Sequence, residues 1–451
     1  MSDQSIKKRY NTKSYRLNYF SGVFFSFGIL FFFLLQVLYT SIIVPNYGYA
    51  GFDNDYKFVR GVNAWALYII ALLFMWRGCK KNSLAWEIFE IIIMIAFAPS
   101  LVMYMYKDTP FIDMYVVYFF VMLASMGIIP QFRIHLKGNY RNTVIRLFGI
   151  LTGITLIFIW ARYTHFHIQI SLLDVYGQRA EAAGYAMPRI LSYIYAMTKS
   201  VIPLMVVYYM DKGWKKNLWK ILYYVFLQYI SFCIDGSKGT VFLVLLSIVA
   251  YIVSRKMKNY EKWIPLAFAL AVFAGIMEEV VRGTYYLVGV FFRRVMFVPA
   301  NLNYDYYNYF SEREFDYFRS SIFRFFEKSP YLKEGGIPIA IGNFNGSGSS
   351  ANNGLFSDAY TNLGVAGVII MPILIVLVFK LIEGAAKGLD NRVVVPVVIM
   401  TSMVLVSSAL FTSLLSHGIL LCIILLYFLP RKKSVDCRAN QRCCTQEVCD
   451  G

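Results

Sequence analysis

Four arginines beside the ends of long apolar stretches are the first residues whose type suggests chemistry. They are Arg179, Arg282, Arg293 and Arg294. Arginine keeps its charge, and its planar guanidinium binds phosphate through two hydrogen bonds at once. Arginines in such positions also serve as anchors that contact lipid phosphate. For the group as a whole, we predict an anion-binding site at one face of a membrane.

Lys238 is a further cation of this kind, in the turn Asp235-Gly-Ser-Lys-Gly-Thr240 between two apolar stretches. A charge at membrane depth indicates function by default. The alternative is that Asp235 and Lys238 pair with each other and only hold the turn. The turn is not a P-loop, because the required spacing of Gly-Lys-Ser/Thr is missing.

The long polar interval 282–360 holds the candidate general bases. They are Glu312, Glu314, Asp316 and Asp358. A general base has to lie within hydrogen-bond reach of the hydroxyl group that it deprotonates. Many aromatic residues between Tyr304 and Phe326 predict one or two amphipathic helices on the membrane surface. The stretch from Gly342 to Gly354 is either a flexible hinge or a sugar-binding lid.

Metal chemistry is not indicated. The chain has 4 histidines, and no carboxylates accompany His165 and His167 at a ligand spacing. The cysteines near the C-terminus lack the paired CxxC spacing of a zinc site. We therefore expect no metal and no cofactor.

The elements that must position these residues are membrane-spanning helices. Of the 451 residues, 58% are hydrophobic and 16% are charged, whereas a soluble domain carries about 25% charged residues. The mean hydropathy is +0.54. We predict an all-α polytopic membrane protein with about twelve transmembrane helices. The spans are 19–44, 62–77, 84–105, 112–130, 144–162, 190–210, 218–234, 239–254, 263–281, 357–379, 393–412 and 416–430.

The distribution of positive charge predicts the orientation. With a cytoplasmic N-terminus, most of the 44 Lys and Arg residues fall in cytoplasmic segments, as the positive-inside rule requires. Both termini are then inside, and about 282–356 becomes one large outer loop. Residues 1–430 form a single membrane domain, followed by a basic, cysteine-rich cytoplasmic tail, 431–451. The net charge of +18 is thereby explained by loops that face lipid, and no nucleic-acid-binding fold is indicated.

Three stretches resemble motifs of the oligosaccharide repeat-unit polymerases of bacterial surface polysaccharide assembly, the Wzy-type O-antigen polymerases. Asp174-Val-Tyr-Gly-Gln-Arg179 resembles an Asp-Val-Tyr-x-x-Arg stretch, and the turn with Lys238 resembles a Gly-Ser-Arg-Gly turn. Asn352-Asn-Gly-Leu-Phe-Ser-Asp-Ala-Tyr-Thr-Asn-Leu-Gly364 resembles Asn-x-Gly-x-x-x-Asp-Ala-Tyr-x-Asn-x-Gly. The stretches follow the family's order. Lysine replaces the family's usual arginine at position 238, and the cysteine-rich tail has no counterpart.

The resemblance implies a glycosyltransferase C-like enzyme that polymerises undecaprenyl-pyrophosphate-linked oligosaccharide repeat units at the periplasmic face of the bacterial inner membrane. A regulator of polysaccharide chain length is a candidate partner. Cations would stabilise the departing pyrophosphate, and a carboxylate would deprotonate the acceptor hydroxyl. We assign catalytic roles to Arg282, Glu312 and Asp358. We assign substrate-binding roles to Arg179, Lys238, Arg293, Arg294, Tyr176, Asn353 and Tyr360.

Two other functions stay open. An O-antigen ligase resembles this family but places a histidine in its large outer loop, and no histidine occurs between Arg282 and Tyr360. A flippase or other transporter would concentrate charges inside several spans near mid-membrane, whereas this chain keeps its charges at the ends of the predicted spans. The sequence therefore favours a polymerase.

Overall fold

The protein is built from helices. A computed structural model describes residues 22–79, 83–132, 141–170, 177, 181–182, 184–257 and 259–431, and these ranges contain no strand. Nine helices in this part of the chain are long and apolar enough to cross a membrane. The predicted all-α class is confirmed, and the nine helices are those of a multi-pass membrane protein.

The helices have the following bounds. They are α1 (Gly22–Ala50), α2 (Phe58–Cys79), α3 (Leu84–Tyr106), α4 (Ile112–Ile128), α5 (Arg141–Thr164), α6 (Arg189–Asp211), α7 (Leu218–Asp235), α8 (Lys238–Lys256), α9 (Ile264–Arg282), a π-helix (Val288–Phe297) that continues into α10 (Val298–Ser311), α11 (Ile337–Phe344), α12 (Phe356–Ala385), α13 (Asn391–Ser407), α14 (Leu410–Leu415) and α15 (Ile419–Phe428). We call the end of the bundle that holds residues 283–355 the outer end.

Each predicted span coincides with helical structure, but three of these helices lie outside the nine. The helices α4 and α13 are apolar and have 17 residues each. The 18-residue α7 is less apolar, because it contains Lys220, Gln228 and Asp235. Twelve crossings and the inside position of both termini therefore stay predictions.

The helix α3 lies at the centre of the bundle. Of its apolar stretch 94% is buried within the protein, against 22% for α8 and for α9. A helix that is apolar on all sides is surrounded either by other helices or by lipid. α3 is of the first kind and packs against α2, α12 and α13, whereas α8 and α9 are peripheral.

The outer end of α12 is a separate short segment folded against the rest of the helix. Gly364 has φ 58° and ψ −134°, which interrupts the helix, and only glycine adopts such angles readily. A Cβ atom at Gly364 would lie 2.6 Å from the Phe315 ring, and one at Gly367 would lie 2.0 Å from the Ala359 carbonyl oxygen. The two glycines therefore permit the tight packing of residues 356–363.

Candidate functional site

Glu278 fixes the turn that follows Arg282 at the end of α9. Its carboxylate accepts hydrogen bonds from the backbone N–H groups of Tyr286 (3.1 Å) and Leu287 (2.8 Å), and from the Thr284 hydroxyl (3.2 Å). These N–H groups lie at the start of the next helical segment, where a carboxylate is stabilising. The chain thus turns sharply, and Arg282 is left exposed at the outer end.

Arg293 and Arg294 lie on the π-helix that follows this turn. The Arg293 guanidinium lies 4.4 Å from the centre of the Tyr47 ring. Its Nε is buried and has no hydrogen-bond partner among the described residues. Arg294 is exposed. A buried donor without a partner is costly, so Arg293 Nε is a donor that the described residues leave unsatisfied.

Two arginines later in the polar interval 282–360 already interact with other side chains of the protein. Arg319 lies 2.7 Å from the Glu314 carboxylate and 2.8 Å from that of Glu327. Arg313 lies 4.0 Å from the centre of the Tyr309 ring. The arginines therefore divide into a set that holds the interval together and a set, with Arg282 and Arg294, that is exposed.

The aromatic stretch differs from the predicted surface helices. α10 is helical, but Tyr304, Tyr306, Tyr309 and Phe310 are buried, and the helix packs against α12 and α3. Residues 317–326 form turns. The apolar face is therefore covered largely by protein, and periodicity alone does not distinguish protein from lipid as the covering material.

Tyr360 and Glu312, two predicted site residues, are found in different surroundings. The Tyr360 ring is buried, 5.1 Å from the Tyr307 ring and 5.9 Å from the Phe356 ring. Glu312 is exposed directly after α10. Of the two, Glu312 is the residue that an external substrate can reach.

Asn353 and Asp358 hold the outer ends of several helices together. The Asn353 amide nitrogen lies 3.0 Å from the Pro299 carbonyl oxygen and 2.8 Å from the Ser357 hydroxyl. Asp358 accepts hydrogen bonds from the Leu410 N–H (2.8 Å) and from the Asn362 amide (2.9 Å). Both side chains are buried. This geometry gives the two residues a positioning role, and their contact with substrate stays a prediction.

Asp235 pairs with Lys199 of α6. Lys199 Nζ lies 2.6 Å from one carboxylate oxygen, and the Ser237 N–H donates to the other at 2.9 Å. The alternative of a turn held by an Asp235–Lys238 pair is therefore wrong. Lys238, half-buried at the start of α8, is free of that acid and can serve an external anion.

The short helix α14 connects two of the motif stretches. Its first N–H group, that of Leu410, donates to Asp358 of α12. Gly418, which follows α14 with φ 74°, packs so closely on α6 that a Cβ atom would lie 3.0 Å from the Met197 carbonyl oxygen. Met197 lies two residues before Lys199, the partner of Asp235. α14 and Gly418 therefore contact both the segment that carries Asp358 and the helix α6, whose Lys199 pairs with Asp235 in the turn before Lys238.

Asp305 is a candidate base that the sequence analysis missed. It is half-buried on α10, and the Asn345 amide donates to its carboxylate at 2.9 Å. Burial raises the pKa of Asp305, while the Asn345 hydrogen bond and the Lys107 charge lower it. The signal was present, because Asp305 is the single charged residue in the α10 sequence VPANLNYDYYNYFS.

Lys107 lies close enough to Asp305 to influence its charge. Its ammonium group donates to the Gly51 carbonyl oxygen (2.7 Å) and to the Asn301 side chain (3.1 Å). Burial lowers the pKa of Lys107, while the Asp53 and Asp305 charges raise it. The lysine thus ties the segment after α1 to α10 beside the candidate base.

An apolar groove separates α8 from α9. Its volume is about 270 Å³. The groove residues come from α3, α8, α9, the π-helix and α13, and include Leu246, Ala271, Phe291, Val295 and Met403. The chain reverses between α8 and α9, so Lys238 at the start of α8 and Arg282 at the end of α9 lie at the same end. Arg294 is the chain neighbour of Val295, a groove residue.

Lys238, Arg282 and Arg294 thus lie on three elements that also contribute residues to the groove, and none of the three is itself a lining residue. Tyr176 and Arg179 lie outside the described residues, and so does almost all of the tail. Within the described ranges, no three His, Cys, Asp or Glu side chains are grouped so that they could hold a metal ion. No family model, curated protein or solved structure matches the chain.

Proposed function

We propose that the protein is a membrane glycosyltransferase that extends a glycan carried on a lipid pyrophosphate at the outer end of the bundle. The observation that carries the proposal is the apolar groove whose walls include the elements that bear Lys238, Arg282 and Arg294. A lipid chain is stabilised by apolar walls, and its pyrophosphate is stabilised by cations. Here the same elements supply both. The motif resemblance supports undecaprenyl-pyrophosphate-linked oligosaccharide as the substrate.

The chemistry requires stabilisation of the leaving group. The acceptor hydroxyl oxygen forms a bond to the anomeric carbon of the donor, and the bond from that carbon to the pyrophosphate oxygen breaks. Negative charge builds up on the departing pyrophosphate, and its stabilisation is the role that we propose for Arg282, Arg293, Arg294 and Lys238. Arg179 is proposed to complete this set.

A carboxylate takes the proton of the acceptor hydroxyl. We propose Asp305 for this role, because it is half-buried at the outer end and burial raises its pKa above the ordinary value of aspartate. Glu312 is an exposed second candidate. Asp358 is the weakest of the three, since both of its oxygens already accept hydrogen bonds from the protein.

The rest of the proposal follows from the resemblance and the charge distribution. Twelve spans with both termini inside place the outer end in the periplasm of a bacterial inner membrane. A regulator of polysaccharide chain length is the proposed protein partner.

Deletion of the gene tests the activity, with the surface polysaccharide separated by size on a gel. A polymerase mutant carries a lipid A core capped with a single repeat unit. A ligase or flippase mutant carries no repeat unit on the core, and this result would overturn the proposal. Re-expression of the wild-type chain controls for effects on neighbouring genes.

Reconstitution tests the chemistry directly. The purified chain in vesicles should convert lipid-linked single repeat units into longer lipid-linked glycans without any further protein. An Arg282→Ala, Arg294→Ala double variant should lose this activity, because the leaving group loses its cations. Arg324→Ala removes a charge in the turns of the same interval and should retain it.

A further inference from the structure

A second cavity lies at the end of the bundle opposite Lys238 and Arg282. Its volume is about 410 Å³, and it is bounded by the beginnings of α5 and α7 and by the ends of α6 and α15. Four cations line it: Arg146, Lys212, Lys216 and Lys220. The proposed reaction at the outer end uses none of them.

The four cations of this cavity are accompanied by no acid among its lining residues, and the neighbouring Asp211 lies outside that lining. None of the four cations forms an ion pair within the described ranges. Lys212 and Lys220 lie over tyrosine rings, at 5.6 Å from Tyr208 and 5.0 Å from Tyr209. The four cations are exposed and lie close together, so an anion that enters the cavity lowers their mutual repulsion.

The cavity walls are held in place by close helix packing. The Tyr223 hydroxyl of α7 donates to the Gly149 carbonyl oxygen of α5 at 2.8 Å. A Cβ atom at Gly149 would lie 2.6 Å from the Tyr224 hydroxyl, so glycine is needed for this approach. α5 and α7 are thus fixed beside each other next to the cavity.

Two tryptophans indicate the depth of the cavity in the membrane. Trp214 and Trp219 lie between its lysines in the chain and are 57% and 83% exposed. Exposed tryptophan is enriched at the level of lipid headgroups. Basic pockets between transmembrane helices at that level bind anionic headgroups.

We infer that this cavity binds the phosphate headgroup of an anionic phospholipid from the leaflet at this end of the bundle. The guanidinium and ammonium groups bind the phosphate oxygens, and Tyr208 and Tyr209 line the cavity beside them. This lipid is distinct from the lipid-linked substrate, which would lie at the groove. It is held as a structural ligand.

The test places the purified full-length chain in phosphatidylcholine nanodiscs that contain either phosphatidylglycerol or cardiolipin, and measures binding of the anionic lipid. Native mass spectrometry counts the anionic lipids that stay bound. A Lys212→Gln, Lys216→Gln double variant is compared with a Lys215→Gln, Lys256→Gln double variant. The second pair removes the same charge at the same end of the bundle but from residues outside the cavity lining.

The expected result is a selective loss of affinity in the cavity variant. Hydrogen bonds from charged groups to phosphate are strong, so the double variant, which loses two of the four cations of the cavity, should bind at least about tenfold more weakly. The Lys215→Gln, Lys256→Gln variant should bind as the wild type does. A Lys212→Arg, Lys216→Arg variant should retain binding, which separates lost charge from misfolding.

Two results would overturn the inference. Equal weakening in the cavity variant and the control would mean that general surface charge attracts the lipid. Displacement of the lipid by inorganic phosphate or pyrophosphate at equal concentration would mean that the cavity is a site for a soluble anion. Neither result bears on the polysaccharide ladder, so the proposed function is tested separately.

Discussion

Lys199 Nζ lies 2.6 Å from Asp235 Oδ2, and this ion pair joins α6 to the turn from which Lys238 begins α8. Both side chains are about one-fifth exposed, at 19% and 20%. The same pair stands two residues from the point where Gly418 packs on α6. The ion pair therefore connects the turn before Lys238, through α6 and Gly418, to α14, whose first N–H group donates to Asp358.

Removal of one partner of this pair should destabilise the protein. Lys199→Met leaves the Asp235 charge without its counter-charge, and we expect a loss of roughly 3 kcal/mol in the free energy of unfolding. The apparent Tm in detergent measures it. A Lys199→Met, Asp235→Leu double variant should recover most of the loss. Equal Tm values for wild type and the single variant would show that the pair contributes nothing.

Gly367, three residues after the third motif stretch, should matter for packing rather than for binding. Gly367→Ala places a Cβ atom 2.0 Å from the Ala359 carbonyl oxygen, and relief of such a clash costs about 1–3 kcal/mol. Gly127→Ala in α4 meets nothing within 4 Å. We expect a lower Tm for the first variant and an unchanged or higher Tm for the second. The opposite order would contradict the close packing of residues 356–363 against the rest of α12.

Much of the architecture was accessible from the sequence, because apolar length and charge asymmetry act locally. Long runs of apolar residues predicted every helix that is long enough to span a membrane. The pairing of Asp235 was not accessible, because Lys199 lies in another helix and nothing in the spacing marks it. Asp358 looked like a base, since its bond to Leu410 joins residues that are far apart in the chain.

The predicted site illustrates the same limit. Arginine type and position picked out Arg282 and Arg294, which the structure leaves exposed at the outer end. Arg319, which the sequence analysis did not select, is engaged by the fold in ion pairs with Glu314 and Glu327; those partners could not be read from the sequence. Asp305 was overlooked, because aromatic neighbours made α10 look like a lipid-facing segment.

Asp305→Asn should remove a pH dependence of stability. Burial raises the pKa of Asp305 in the folded protein, so the folded state holds this proton more tightly than the unfolded state. The stability from this group is present below about pH 4, the ordinary pKa of aspartate, and is lost as the pH rises through the raised pKa. Relative to the variant, the wild type should therefore lose Tm over that window.

The same substitution tests the proposed base. The carboxylate form is the base, so wild-type polymer synthesis should decline as the pH falls through the raised pKa of Asp305. The Asp305→Asn variant should make single capped repeat units only. Asp108→Asn changes an exposed acid near the same network and should preserve the ladder. A full ladder from Asp305→Asn would exclude Asp305 and leave Glu312 and Asp358 as candidate bases.

The groove should be sensitive to side-chain volume on one face of α9. Ala271 lines the groove, whereas Ala274 is exposed on α9 and lies outside the lining. Ala271→Trp fills space that the proposed lipid chain would occupy. Each CH₂ group excluded from an apolar site costs about 0.8 kcal/mol, so displacing two of them should raise the KM for lipid-linked repeat units about tenfold.

Ala274→Trp adds the same side chain to a position where the bundle has open surface, and its KM should stay at the wild-type value. Equal Tm values for the two variants would show that the fold tolerates both. Because Lys238, Arg282 and Arg294 are untouched, kcat should change little in either case. A wild-type KM for Ala271→Trp would place the lipid chain elsewhere, and it would remove the observation on which the proposed function mainly rests.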